Sequence, residues 1–107
     1  MGVTRIGWGE VWWVESPSLG RRPVLVLTRP EALDVLPRIL VAPATTTVRA
    51  LPSEVPLDLD DGLPRPCVLN LDTPELVPRA LLVERITTLS EVKMAAVCHA
   101  LAAATGC

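Results

Sequence analysis

Short apolar runs cut by proline and glycine dominate this chain, and most are too brief for a helix. Val24 to Leu27, within Gly20–Thr28 (GRRPVLVLT), is the clearest: four apolar residues with β-branched valines, read as a buried strand. Pro23 opens that strand where a missing N–H costs least, and it keeps Arg22 extended. Trp8 to Glu15 (WGEVWWVE) reads as a strand before it. Successive side chains alternate faces there, so Trp12 and Trp13 cannot both enter the core. The outer one is expected to pack within the fold or at a dimer interface rather than stack on a base. Ile39 to Ala44 predicts a third strand, whose Pro43 demotes its far end to an edge or a bulge. Leu51 to Leu59 alternates like a strand exposed on one face, and Cys67 to Asp72 (CVLNLD) reads as a buried strand ending in an isolated acid. Ala80 to Ile86 is read as a strand because Thr87, Thr88 and Leu89 interrupt its apolar run.

The connections follow from turn chemistry. Ser16 to Gly20 (SPSLG) is a turn, Pro30 to Leu36 a short helix opened by proline and an acid, and Thr73 to Pro78, with two prolines, a loop or single helical turn. Asp60, Asp61 and Gly62 form a turn with solvated acids, and Met1 to Ile6 a loose terminus. Ser90 caps an alanine-rich helix closed by Gly106. Five or six short strands with one C-terminal helix predict a mainly β, small curved barrel, the helix packing across it or projecting to a partner. The 107 residues suit one domain, residues 1–107, with one core.

Composition narrows the setting. Half the residues are hydrophobic, yet no apolar run approaches a membrane span, and no N-terminal segment reads as a signal peptide. Cys67, Cys98 and Cys107 are scattered and unpaired in sequence, which points to a reducing cytoplasm and away from disulfides or zinc. The net charge of −2 does not mark a nucleic-acid binder, but the charge is unevenly spread. Residues 1–50 hold six arginines against four acids; residues 51–107 hold four basic residues against eight acids. A local basic face on an acidic chain can still hold phosphate.

The catalytic inventory is arginines, hydroxyls and strand-end acids. There is no zinc motif, glycine-rich phosphate loop or GxSxG elbow, and the single histidine, His99, lies on the predicted helix as an ordinary surface residue. Such a set suits RNA cleavage, because RNA carries its own nucleophile in the 2′-OH. The protein need supply only positioning, proton transfers and charge stabilisation. Arg22 could neutralise the phosphorane, Thr45 could bond a non-bridging oxygen, and Asp72 could accept the 2′-OH proton. A plain binding module remains open on these residues alone.

The order GEVWWV, GRRPVLVLT, VAPATTTVRALPSEV, CVLNLD and ITTLSEVKM resembles the MazF/PemK family of bacterial toxins, collinearly from about Trp8 onward. The resemblance implies an SH3-like barrel of the CcdB/PemK type, a homodimer, and a metal-independent endoribonuclease without cofactors. It implies cleavage of single-stranded RNA (mRNA, rRNA or tRNA) at short sequences, leaving 2′,3′-cyclic phosphate and 5′-OH ends and halting growth. It also implies a bacterial cytoplasmic protein restrained by a cognate MazE-like antitoxin, meeting DNA only through that antitoxin, with no membrane partner.

Carried over by position, the catalytic arginine of the G-x-R-P block falls on Arg22, the catalytic threonine on Thr45 and a proposed base on Asp72. Arg21, Thr46, Arg49 and Asn70 are the accompanying RNA-binding candidates. Arg21, facing away from Arg22, is expected to matter less. Relatives carry an arginine, proposed as general acid, where this chain has Asn70; proton delivery then falls to Arg22 or Thr45. The loop before the arginine is short here, and TPELVPR departs from the family pattern after the acid. The alternatives are a CcdB-like gyrase poison, which depends on a C-terminal tryptophan absent here, and a non-catalytic SH3-like module.

Overall fold

A computed structural model describes residues 5–107. Across them run seven strands: β1 (Glu10–Ser16), β2 (Gly20–Val26), β3 (Arg38–Thr45), β4 (Glu54–Leu57), β5 (Cys67–Asn70), β6 (Glu75–Pro78) and β7 (Leu82–Thr88). One α-helix, α1 (Glu91–Thr105), follows them. The strands form one antiparallel, mainly β sheet in the order β4-β5-β3-β2-β1-β7, with β6 added beside β3. No helix among these residues is long and apolar enough to cross a membrane.

Alternation on the strands divides the core in two. Val11, Leu25, Ala42 and Ala44 face one side, where Met94, Val97 and Ala100 of α1 cover them. Trp12, Val14, Val24, Val26 and Val41 face the other, under Ile6, Leu33 and Val77. The helix therefore packs across the sheet. Ser90 Oγ accepts the Lys93 N–H at its start, and Gly106 ends it in the left-handed region with φ 76°. Both caps agree with the expectation.

Several elements differ from the sequence expectation. Glu75–Pro78 is a strand and not a loop: Val77 pairs with Ile39 and lies buried, while Pro78 takes the strand's last place, where its missing N–H disturbs little. Nor is the far end of β3 an edge. Pro43 pairs with Val24 of β2, and the next residues, Ala44 and Thr45, pair with Leu69 and Val68 of β5. Pro43 sits where β3 leaves β6 for β5, between two ladders, so the N–H it lacks is not needed. The first strand starts at Glu10 rather than Trp8, after a turn in which Gly9 takes φ 83°. Pro30–Ala32 is one 3-10 turn rather than a helix to Leu36, and β4 keeps only the middle of the predicted Leu51–Leu59 strand. Of the expected loose terminus, residues 1–4 lie outside the described residues, and Ile6 is buried in the second core.

The Asp60–Gly62 turn is also more than solvated acids. Asp61 accepts the Asp58 N–H and pairs with Lys93 of α1, whose Nζ also donates to Pro56 O. Asp60 stays exposed. Gly62 adopts φ 96° against Thr87 of β7, leaving no room for a side chain. The loop leading to β5 is thus held from both sides.

Two substitutions test this packing. Leu25→Ala, at a fully buried site, is expected to cost about 2–5 kcal/mol. Ser90→Ala, which removes only the cap, is expected to cost about 1 kcal/mol. Urea unfolding of both variants beside the parent measures the difference.

Candidate active site

Strands β2 and β3 pair only from Val24 to Val26, opposite Pro43 to Val41. Beyond that point β3 runs with β5, and β2 continues alone beside β1. The two strands part, and a cleft of about 230 Å³ opens between them. Trp13 of β1, Arg21, Arg22 and Pro23 of β2, and Ala44, Thr45 and Thr46 at the end of β3 border it. Leu63, Pro64 and Arg65 of the loop before β5 close it, together with Cys67 at the start of β5. Register continued two residues past Val24–Pro43 sets Arg22 across the gap from Thr45.

Local hydrogen bonds leave both residues free on one side. Arg22 Nε donates to Leu19 O at 2.7 Å, anchoring the guanidinium to the β1–β2 turn and leaving its terminal nitrogens for an anion. Thr45 Oγ1 accepts the Thr47 N–H at 3.1 Å, so the hydroxyl proton can point elsewhere. Arg21 lies over the Trp13 ring, 4.7 Å from its centroid, and pairs with Glu15. The β1–β2 pairing puts Arg21 and Trp13 on the face opposite Arg22. Both arginines nevertheless border the cleft, because it opens across the strand ends.

The other candidates lie elsewhere. Asp72 is exposed past the end of β5, its Oδ2 accepting from Ser53 Oγ, and its N–H donates to Asn70 Oδ1 at 2.9 Å. Asn70 thus secures the strand end with its side-chain carbonyl. Thr45 pairs with Val68, and Asp72 lies four residues further on, in the turn after β5. Arg49 sits on an exposed loop where Glu54 accepts the Arg49 and Leu51 N–H groups. None of Asp72, Asn70 and Arg49 borders the cleft.

Trp13, Arg65 and Cys67 were not among the sequence candidates for the site. Arg65 stands between two prolines in a loop without periodicity, so nothing local marks it; the hold on Gly62 and Asp61 brings it in. Trp12 is buried, whereas Trp13 is only half-buried, which is the division that alternation required. Among the described residues, no three His, Cys, Asp or Glu side chains gather where they could hold a metal ion.

A family model described as PemK-like, MazF-like toxin of type II toxin–antitoxin system matches residues 8–105. The Mycobacterium tuberculosis protein named Probable endoribonuclease MazF5 is 50% identical over 100 residues, covering 92% of each chain. Probable endoribonuclease MazF2 of the same organism is 40% identical over 92% of this chain and 97% of its own. Among solved structures, the Mycobacterium tuberculosis toxin MazF-mt6 superposes with a TM-score of 0.83 at 34% identity, over 91% of this chain and 96% of that one. The barrel-like sheet with its C-terminal helix is therefore the architecture of these toxins.

Cys67 supplies a chemical probe of the cleft. Burial pushes its thiol above the ordinary value of 9.0, the Asp61 carboxylate adds to the rise, and Arg65 opposes it. A raised thiol pKa keeps the sulfur protonated, and therefore unreactive, through neutral pH. Iodoacetamide at pH 7.5 is expected to label exposed Cys98 and Cys107 well before Cys67. The Cys67 rate should keep rising beyond pH 9. Peptide mass mapping over time and pH reads the order; labelling of Cys67 first would contradict it.

Proposed function

The chain belongs to the PemK-like, MazF-like toxin family of type II toxin–antitoxin systems, and on that premise we propose that its cleft cuts single-stranded RNA. The products would be 2′,3′-cyclic phosphate and 5′-OH ends, made at short sequences. The observation that carries this reading is Arg22, anchored through Nε and facing the Thr45 hydroxyl across the gap between β2 and β3.

The chemistry asks for little more. The 2′-oxygen attacks phosphorus, its proton passes to a base, and the 5′-oxygen leaves with a proton of its own. Charge accumulates on the non-bridging oxygens in between. The terminal nitrogens of Arg22 match two of those oxygens, and the Thr45 hydroxyl can donate to one. Arg65, bordering the same cleft, adds positive charge where phosphate would sit. The reaction needs no metal to generate its nucleophile, since RNA brings it. Asp72 keeps the role of proton acceptor only if the end of β5 moves toward the cleft when RNA binds.

The working unit is proposed to be a homodimer in the bacterial cytoplasm, restrained by a cognate antitoxin. A cleft bordered by Arg21, Arg22 and Arg65 attracts acidic peptide as well as RNA, so an antitoxin segment carrying carboxylates would occlude it. DNA would be met only through that antitoxin. The relatives' names, all endoribonucleases, favour this reading over a gyrase poison or a binding-only module.

Purified protein incubated with RNA in EDTA, with the cut ends mapped, tests the activity. Arg22→Ala and Thr45→Ala are each expected to lower cleavage by about 100-fold or more with melting unchanged. Arg22→Lys should be similarly impaired, because lysine has neither the anchoring Nε nor the planar fork. Wild-type cleavage by folded Arg22→Ala would remove Arg22 from the site.

For Asp72, the cleavage rate of Asp72→Asn decides. A loss of about 100-fold is expected if Asp72 takes the 2′-OH proton. An unchanged rate would leave Asp72 as the partner of Ser53.

A further inference from the structure

The wall of the cleft beside Arg22 is flat, stacked and half open. Trp13 and Arg21 share a sheet face because Trp13 pairs with Pro23 and Glu15 with Arg21 in the β1–β2 ladder. The indole supports one face of the Arg21 guanidinium, 4.7 Å from the ring centroid, and Glu15 ties an edge of it. The Arg21 side chain is still 50% exposed. The indole thus holds the guanidinium while half of the side chain stays exposed, next to the residues that would hold the phosphate.

We propose that Trp13 and Arg21 form a stacking platform for one nucleobase flanking the scissile phosphate, with Glu15 holding the guanidinium in plane. The proposal rests on the RNA-cleaving function above and adds a base subsite to it. An arginine plane over an indole presents a broad cationic π surface, which unpaired RNA bases stack upon. Fixing the guanidinium beforehand lowers the ordering cost of binding. Stacking tolerates several bases, so the platform positions RNA more than it reads it. Arg21 thereby gains a role despite facing away from Arg22, and Trp13 one beyond packing.

The test uses an oligonucleotide with one mapped cleavage site and variants bearing a single abasic nucleotide at each flanking position. Trp13→Leu and Arg21→Ala are expected to raise KM about tenfold, with kcat within about twofold. An abasic nucleotide at one flanking position should weaken the parent protein equally, and there the two substitutions should have no further effect. Trp13→Phe, which keeps an aromatic face, should recover most of the loss. Binding of the same oligonucleotides with a 2′-deoxy group at the cut site is measured in parallel, and melting checks the fold.

Equal losses at every abasic position, or none, would overturn the platform while leaving cleavage intact. Should Trp13→Leu not fold, Arg21→Ala against the abasic series decides alone. A parent protein that neither cuts nor binds RNA would overturn both the platform and the function on which it rests.

Discussion

The partner exchange along β3 is the constraint from which this molecule is built. A strand offers two edges of backbone donors and acceptors, and buried ones must be paired. β3 meets β2 on one edge and on the other meets β6 first and then β5. Pro43 occupies the crossover, where a donor would have no regular acceptor. The β2–β3 ladder ends at Val24–Pro43, where β3 takes up β5, and the cleft lies where the backbone pairing changes partner.

That origin explains why the cleft can carry function without weakening the fold. Its residues come from β1, the first half of β2, the end of β3, the loop before β5 and the first residue of β5, while Val24, Leu25, Val41 and Ala42 stay fully buried. Arg22 is extended because proline follows it, and its Nε is satisfied by the turn that precedes it. Little side-chain freedom remains to be lost on meeting an anion. Arg65 arrives by a longer route, through a loop wedged between β7 and α1 at Gly62 and Asp61. Three arginines thus border one small cleft on a chain whose net charge is −2. Local placement of charge outweighs its total, because attraction to phosphate falls off over about a Debye length of 8–10 Å.

What was legible in the chain was whatever neighbouring residues decide among themselves. Alternation separated Trp12 from Trp13, and Ser90 and Gly106 bounded the helix; the expected strand opening at Pro23 was misplaced, because β2 begins at Gly20 and Pro23 stands in its middle, paired with Trp13. The ordered blocks from GEVWWV to ITTLSEVKM carried the family. What only the tertiary structure decided was set by partners distant in sequence. Glu75–Pro78 became a strand because β3 had an open edge there, despite Pro74 before it and Pro78 at its end. Asp61 left solvent because Lys93 came to it, and Ile6 was drawn in by a core assembled from β1, β2 and β3. Trp13, Arg65 and Cys67 joined Arg22 and Thr45 in one cleft, whereas Asp72 and Arg49 did not. Side-chain direction and strand propensity are local; hydrogen-bond pairing across the sheet is not, and it alone determines where β2 and β3 part.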